Sequence, residues 1–280
     1  MKIGFIGAGK VGCSLGKYFV EGGYRVTGYA DCHEKAAVDA ADFTGTKYYA
    51  VTSRLVEDSD IIFLTVSDSF IEDVWNEVKS MPLAGKLICH TSGSIPSTIF
   101  SGISEKNAFG YSVHPLYAVH SKWTSYQELS KAVFTIEGAQ QHIEEIRHLF
   151  TSLGNRVETV SAENKAKYHA AAVFASNYVT ALANVCAGLL TECGFSEETA
   201  KTAYLPLMLG NVENISSSGI EGALTGPIER NDILTLQKHK ACLSGKQYAL
   251  YQALAEELLH VAKRKHPETD YREMEEFLNQ

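Results

Sequence analysis

Along the first 160 residues, apolar positions fall in short β-branched runs separated by stretches of helical period. The runs predict strands at Lys2–Ile6, Arg25–Tyr29, Lys47–Ala50, Ile61–Val66, Lys86–Thr91, Phe109–Val113, Val133–Glu137 and Arg156–Val160. Helices are predicted between most of them, for example Val11–Glu21, Glu34–Phe43, Ile71–Ser80 and Gln140–Leu153. Ile61-Ile62-Phe63-Leu64 is apolar at every position, as a strand must be when both faces of its sheet are covered. Such alternation predicts a doubly wound, parallel α/β sheet. After Ser161 the alternation stops, and the chain reads as helices broken at Cys193-Gly194, Gly219–Asn231 and His266-Pro267. The expected organisation is an α/β domain over 1–162 and an all-α domain over 163–280.

Charge narrows the partners. The net charge is −8, with 14 Lys/Arg against 18 Asp/Glu in residues 1–162 and 11 against 15 in the remainder. Neither half is basic, so contact with a nucleic-acid backbone and adhesion to an anionic membrane are not expected. Six cysteines without a Cys-x-x-Cys pair argue against a metal site, and Met1 leads straight into Ile3–Ile6, which fits a cytoplasmic protein. Ala170–Leu190 lacks charge and is long enough to span a bilayer. Its Ser176, Asn177, Tyr178, Thr180 and Asn184, among many alanines, instead predict a buried helix.

The most specific local signal is Gly7-x-Gly9-x-x-Gly12, directly after the first strand and at the mouth of the first helix. Gly7, Gly9, Lys10, Val11 and Gly12 are expected to cradle a dinucleotide pyrophosphate on the helix N-terminus. Asp31 ends the second strand about 20 residues further on, where a carboxylate binds the adenosine ribose of NAD. Arg25, His33 and Lys35 lie close by, so NAD(P)H is the expected cofactor with NAD against NADP open. Asp31-Cys32-His33-Glu34 also fits a capping-box start of the next helix. Thr65-Val66-Ser67-Asp68 ends the fourth strand, and His90-Thr91-Ser92-Gly93-Ser94 ends the fifth. By topology these positions frame the nicotinamide, Val66, Ser67, Thr91 and Ser92 foremost, although Ser67, Asp68 and Ser94 fit simple helix caps as well.

The helical half supplies candidate chemistry. On one continuous helix, Lys165, His169, Ser176, Asn177, Thr180 and Asn184 form a polar stripe, which suits a cleft or a solvated face. Hydride transfer to a carbonyl builds negative charge on oxygen, which Lys165 with His169 could neutralise by protonation. Arg230, in Leu224-Thr225-Gly226-Pro227-Ile228-Glu229-Arg230, could join the catalytic set by holding a substrate carboxylate with Thr225. It could equally pair with Glu229 or Asp232. His114-Pro115, closing the sixth strand, either faces the substrate or only terminates the strand.

Gly7–Gly12, His90-Thr91-Ser92-Gly93-Ser94, Val113-His114-Pro115-Leu116-Tyr117, Tyr168-His169-Ala170-Ala171-Ala172-Val173 with Ser176-Asn177, and Leu224-Thr225-Gly226-Pro227 with Arg230 carry a family resemblance. Together they resemble, over essentially the whole chain, the family that joins a Rossmann-like domain to a helical C-terminal domain of unknown function. That family is similar to ketopantoate reductases, pyrroline-5-carboxylate reductases and 3-hydroxyacid dehydrogenases of the 6-phosphogluconate type. The resemblance implies catalysis between the domains, a homodimer formed through the helical half and a small carboxylate substrate. It looks closest to the alternative type of ketopantoate reductase, which reduces 2-dehydropantoate to pantoate for pantothenate and coenzyme A synthesis. Ala30-Asp31 departs from the Ser-Arg often found there, and Lys165 is followed one turn later by His169 rather than Asn. Three readings follow: a 2-oxo acid reductase, an imine reductase of the pyrroline-carboxylate sort, and a non-catalytic dinucleotide-binding protein. An imine arrives protonated, so the second reading has no use for a Lys165 donor.

Overall fold

A computed structural model describes residues 1–279. Its first compact unit, Met1–Ser176, contains β1 (Lys2–Ile6), α1 (Lys10–Glu21), β2 (Arg25–Ala30), α2 (Glu34–Thr44), β3 (Lys47–Tyr48), α3 (Thr52–Asp58), β4 (Ile61–Leu64), α4 (Ile71–Val78), β5 (Leu87–His90), β6 (Phe109–Leu116), β7 (Val133–Gly138), α5 (Ile143–Thr151), β8 (Arg156–Thr159) and α6 (Lys165–Ala175). The sheet order is β3-β2-β1-β4-β5-β6-β7-β8, parallel throughout except for the antiparallel β6–β7 pair. All eight predicted strands are present.

Alternation within β4 explains the double winding. Ile61 and Phe63 enter one core with Phe5, Phe19 and Tyr29, while Ile62 and Leu64 enter the other with Leu55, Trp75 and Ile88. In the first core Phe5 stacks on Tyr29 and Phe63 at ring separations of 5.2 and 5.5 Å. Each such buried side chain contributes about 1.5–3 kcal/mol, so a sheet with apolar strands is stable only when helices cover both faces.

β6 runs past Pro115, so His114-Pro115 lies inside the strand and does not terminate it. Proline is tolerated because β5 pairs with β6 only as far as Ser112; beyond that β6 is bonded to β7 alone, with Pro115 opposite Phe134.

The second unit, Asn177–Gln280, comprises α7 (Asn177–Glu192), α8 (Glu197–Ala200), α9 (Leu205–Ala223), α10 (Ile233–Cys242), α11 (Gly245–Lys265) and α12 (Arg272–Leu278). Its core joins Leu224 and Ile228 to Leu236, Ala255, Leu259, Tyr271 and Met274. Two sequence expectations fail here. The stretch 165–184 is two helices, because Ser176 leaves helical geometry (φ −127°, ψ −73°). Its hydroxyl donates back to the Ala172 carbonyl at 2.7 Å, an arrangement that bends helices. A stripe reckoned on one continuous helix therefore stops at Ser176. Nor is Ala170–Leu190 buried: the most apolar window of 162–192 has a mean hydropathy of 1.5, and none of it is buried within the chain. The core of the second unit is built without α7, from the C-terminal helices and the Leu224–Ile228 turn.

Candidate active site

The glycine-rich turn is built to hold a diphosphate. Gly7 has φ +105°, and a Cβ there would stand 2.7 Å from the Thr65 carbonyl oxygen. At Gly12 a Cβ would meet Thr65 Oγ1 at 2.3 Å and the Gly7 carbonyl at 2.5 Å, while Gly9 is open apart from one contact at 3.7 Å. Thr65 Oγ1 donates to the Gly7 carbonyl at 2.6 Å and pins the turn to the end of β4. Gly9, the N-cap of α1, offers no side-chain acceptor, so the first N–H groups of this helix stay available to an anion. These features fit a dinucleotide. Lys10 is exposed and Val11 half-buried at the same turn.

Asp31 does not cap α2, whose N-cap His33 makes no side-chain cap bond. Its Oδ2 accepts the Ala8 N–H at 2.7 Å and its Oδ1 the His33 N–H at 2.8 Å. Burial opposes the charge, but these backbone donors win and hold the carboxyl below its ordinary range. A groove of about 430 Å³ beside it is lined by Gly7, Asp31, Cys32, Tyr48 and Val66 among others, which suits an adenosine half. Asp31, Cys32 and His33 bring one ligand atom each within 4.8 Å of one another, a juxtaposition the cysteine survey of the sequence passed over.

The ends of β4, β5 and β6 meet the start of α6 in a second cluster. Lys165, opening α6, is only 1% exposed. Its Nζ donates to the Ser92 carbonyl at 3.0 Å and to Ser112 Oγ at 2.6 Å, and Ser112 passes a hydrogen to the same carbonyl at 3.1 Å. Burial lowers the Lys165 pKa to about 8, against the opposing pull of the Glu137 and Asp68 carboxylates. One turn later Tyr168 Oη shares a 2.7 Å hydrogen bond with His114 Nδ1. The His114 and His169 rings stand edge to face at 6.2 Å. Both press on Gly93, where a Cβ would lie 2.6 Å from His169 Cδ2 and 3.0 Å from His114 Nε2. Burial, then the Lys165 charge, pushes His114 down to about 4. His90, fully buried beneath, is held at about 4 by the same two causes. It accepts the Ser92 N–H at 3.2 Å and thereby shapes the turn.

Ser92 also links the two strand ends. Its hydroxyl donates to Asp68 Oδ2 at 2.7 Å and accepts the backbone N–H groups of Ser94 and Ile95. Asp68 is thus a tie between the β4 and β5 ends. Ser67 caps nothing through its side chain.

Of the residues singled out in the sequence, the first unit brings together Ser92, His114, Lys165 and His169. Val66 lies in the adenosine-side groove with Gly7 and Asp31, and Ser67 and Thr91 follow β4 and β5. Ser176 and Asn177 stand exposed at the break between α6 and α7. Thr225 and Arg230 are exposed in the second unit. Neither suggested partner holds Arg230: Glu229 pairs with Lys265 and His266, and Asp232 caps α10 by accepting the Thr235 N–H. Sequence reasoning gave no role to Tyr168 or Ser112, and placed Asp68 and Gly93 only as strand-end positions facing the cofactor, with a helix cap as the alternative for Asp68. The adjacency of Tyr168 to His169 was the available signal.

Residues 2–92 match the family model described as NADP oxidoreductase coenzyme F420-dependent, and residues 132–258 match a domain of unknown function, DUF2520. No curated protein matches the sequence. Among solved structures, protein TM1727 from Thermotoga maritima is 24% identical with a TM-score of 0.73, covering 94% of this chain and 99% of its own. A pyrroline carboxylate reductase from Plasmodium falciparum with NADP bound is 17% identical, with a TM-score of 0.61 and coverage of 94% and 98%. An imine reductase variant from Myxococcus stipitatus in complex with NAD+ is also 17% identical, with a TM-score of 0.61 and coverage of 99% and 98%. The chain joins a Rossmann-like fold, with a nicotinamide dinucleotide as cofactor and a segment similar to the NADP oxidoreductase model, to a later segment similar to the DUF2520 domain.

Proposed function

We propose that the protein is an NAD(P)H-dependent reductase of a small cyclic imine bearing a carboxylate, of the pyrroline-5-carboxylate kind. One observation carries this reading: the Lys165 amine is drawn into the fold by the Ser92 carbonyl and Ser112 Oγ, and 1% exposure leaves it no face for substrate. A ketone needs a proton as the hydride arrives, whereas a protonated imine becomes a neutral amine without one. The folds shared with a pyrroline carboxylate reductase and an imine reductase support the same choice.

The reduced nicotinamide supplies the hydride when bound. Gly7–Gly12 hold its diphosphate, and Asp31 orders the turn while facing the adenosine side. Lys165 props the Ser92-Gly93 turn from beneath. His114, kept neutral by burial, forms a protic wall over Gly93 with Tyr168 and His169, and Arg230 with Thr225 binds the substrate carboxylate. A second reading, reduction of a 2-oxo acid such as 2-dehydropantoate, draws support from the Tyr168–His114 hydrogen bond, which could pass a proton to an alkoxide.

Purified protein mixed with NADH or NADPH and a panel of cyclic imines and 2-oxo acids tests the reading. Pyrroline-type imine carboxylates should consume the reduced nucleotide at least about tenfold faster than 2-dehydropantoate. Arg230→Ala should raise KM about tenfold for carboxylate-bearing substrates and leave kcat nearly unchanged. Turnover confined to 2-oxo acids overturns the imine reading.

The working molecule in this reading is a cytoplasmic homodimer. Leu207, Leu209, Val212 and Ile220 are 57–77% exposed on α9, and no residue of the most apolar window of 162–192 is buried. A second copy that covers these helices removes the apolar surface from water.

A further inference from the structure

The carboxylate of Asp68 is fixed in a way that its capping position does not require. Both Ser92 Oγ, at 2.7 Å, and Ser94 Oγ, at 3.2 Å, donate to the same oxygen, Oδ2. Among the described residues Oδ1 accepts no hydrogen bond, and the residue is exposed. The Ser92 hydroxyl is itself oriented by the N–H groups of Ser94 and Ile95, at 3.2 and 3.1 Å, so its hydrogen is left to point at Asp68. No lysine or arginine forms an ion pair with Asp68 among the described residues. The fold thus holds a negative charge between the carboxyl ends of β4 and β5, one that attracts the Lys165 charge without forming an ion pair with it among the described residues. In open α/β sheets that edge receives the reacting end of a bound dinucleotide.

We infer that Asp68 is the counter-charge for the positive charge that crosses the site during reduction. The inference rests on the reading as a nicotinamide-dependent imine reductase. In that reaction a neutral reduced nicotinamide gives a hydride, two electrons and one proton, to the carbon of a cationic iminium. The C=N π pair moves onto nitrogen, the amine leaves neutral, and the nicotinamide ring becomes cationic. The positive charge is conserved but relocated, and a fixed carboxylate beside both positions stabilises it before and after transfer. The same charge disfavours a neutral ketone's developing alkoxide, so Asp68 is also a specificity determinant for cationic substrates.

The test needs no substrate. Dissociation constants of the reduced and oxidised nucleotide are measured for the unaltered protein and for Asp68→Asn, which keeps size and hydrogen bonding but removes the charge. Asp68→Asn should weaken the oxidised form about tenfold and the reduced form less than about twofold, and Asp68→Glu should restore most of the difference. Equal loss of both forms would mean that Asp68 only ties the two strand ends or holds the uncharged carboxamide, and it overturns the inference, as does no change in either. Should Asp68→Asn fail to fold, the ratio of the two constants in the unaltered protein serves instead. The preference for the oxidised form should fall as salt is raised, and a flat ratio contradicts the proposal. If the unaltered protein binds neither form, the reductase reading itself fails.

Discussion

Residue by residue, the candidate site is a set of groups held neutral or inward by burial. His90 and His114 are both pushed from an ordinary 6.5 to about 4, first by burial and then by the Lys165 charge. The unfolded chain takes up these protons as pH drops through about 6.5, while the folded chain resists until about 4. Folding stability contributed by these two groups is therefore complete above pH 6.5 and declines between 6.5 and 4. Lys165 acts at the other end: its folded value of about 8 lies below an ordinary 10.5. The cost of burying its charge is full below pH 8 and is relieved as pH rises from 8 to 10.5. Thermal melting should accordingly fall by several degrees from pH 7 to pH 4.5, and less steeply in His114→Gln. An identical slope in that variant would mean that His114 is not held neutral by the fold. The sequence made His114, Lys165 and His169 visible as polar residues in apolar surroundings. It could not reveal the Lys165 contacts, because Ser92 and Ser112 lie 73 and 53 residues away. Topology placed Gly93 at a strand end facing the cofactor, but nothing in the sequence signals the two imidazoles that lie against it.

Among the elements, the strands were legible because two-sided burial leaves an uninterrupted apolar run, as in β4. The Gly7–Gly12 turn was legible because its steric demands admit no side chain at two of its positions. The α6–α7 break was not. It falls in a stretch without glycine or proline, and the serine bonded back to Ala172 at the break leaves no compositional trace. Uniform apolarity also concealed that α7 and α9 face outward. Their exposure yields a prediction at this scale. Leu207→Glu combined with Val212→Glu, at positions 77% and 62% exposed, should halve the mass seen in sedimentation without unfolding the chain. A mass equal to one chain for the unaltered protein removes the dimer from the account. Acidic residues at these positions cost little in a monomer, since no core contact is lost.

For the whole molecule, chemistry-bearing residues gather at one edge of the sheet in the first unit. Gly7–Gly12 and Asp31 lie toward β1 and β2, and Asp68, Ser92, Gly93 and His114 lie toward β4, β5 and β6. This is the division expected of a dinucleotide stretched across the switch in strand order between β1 and β4. In the imine-reductase reading the substrate class rests on finer features, namely an inward lysine, a carboxylate tied between two strand ends and an exposed Arg230, which composition and periodicity do not encode. The most direct test is a crystal structure with reduced nucleotide bound. The account predicts its diphosphate on the Gly7–Gly12 turn and its nicotinamide at the ends of β4 and β5, facing Gly93 and His114 with Asp68 alongside. A nucleotide bound elsewhere, or one whose ring is turned away from Gly93 and His114, would contradict it.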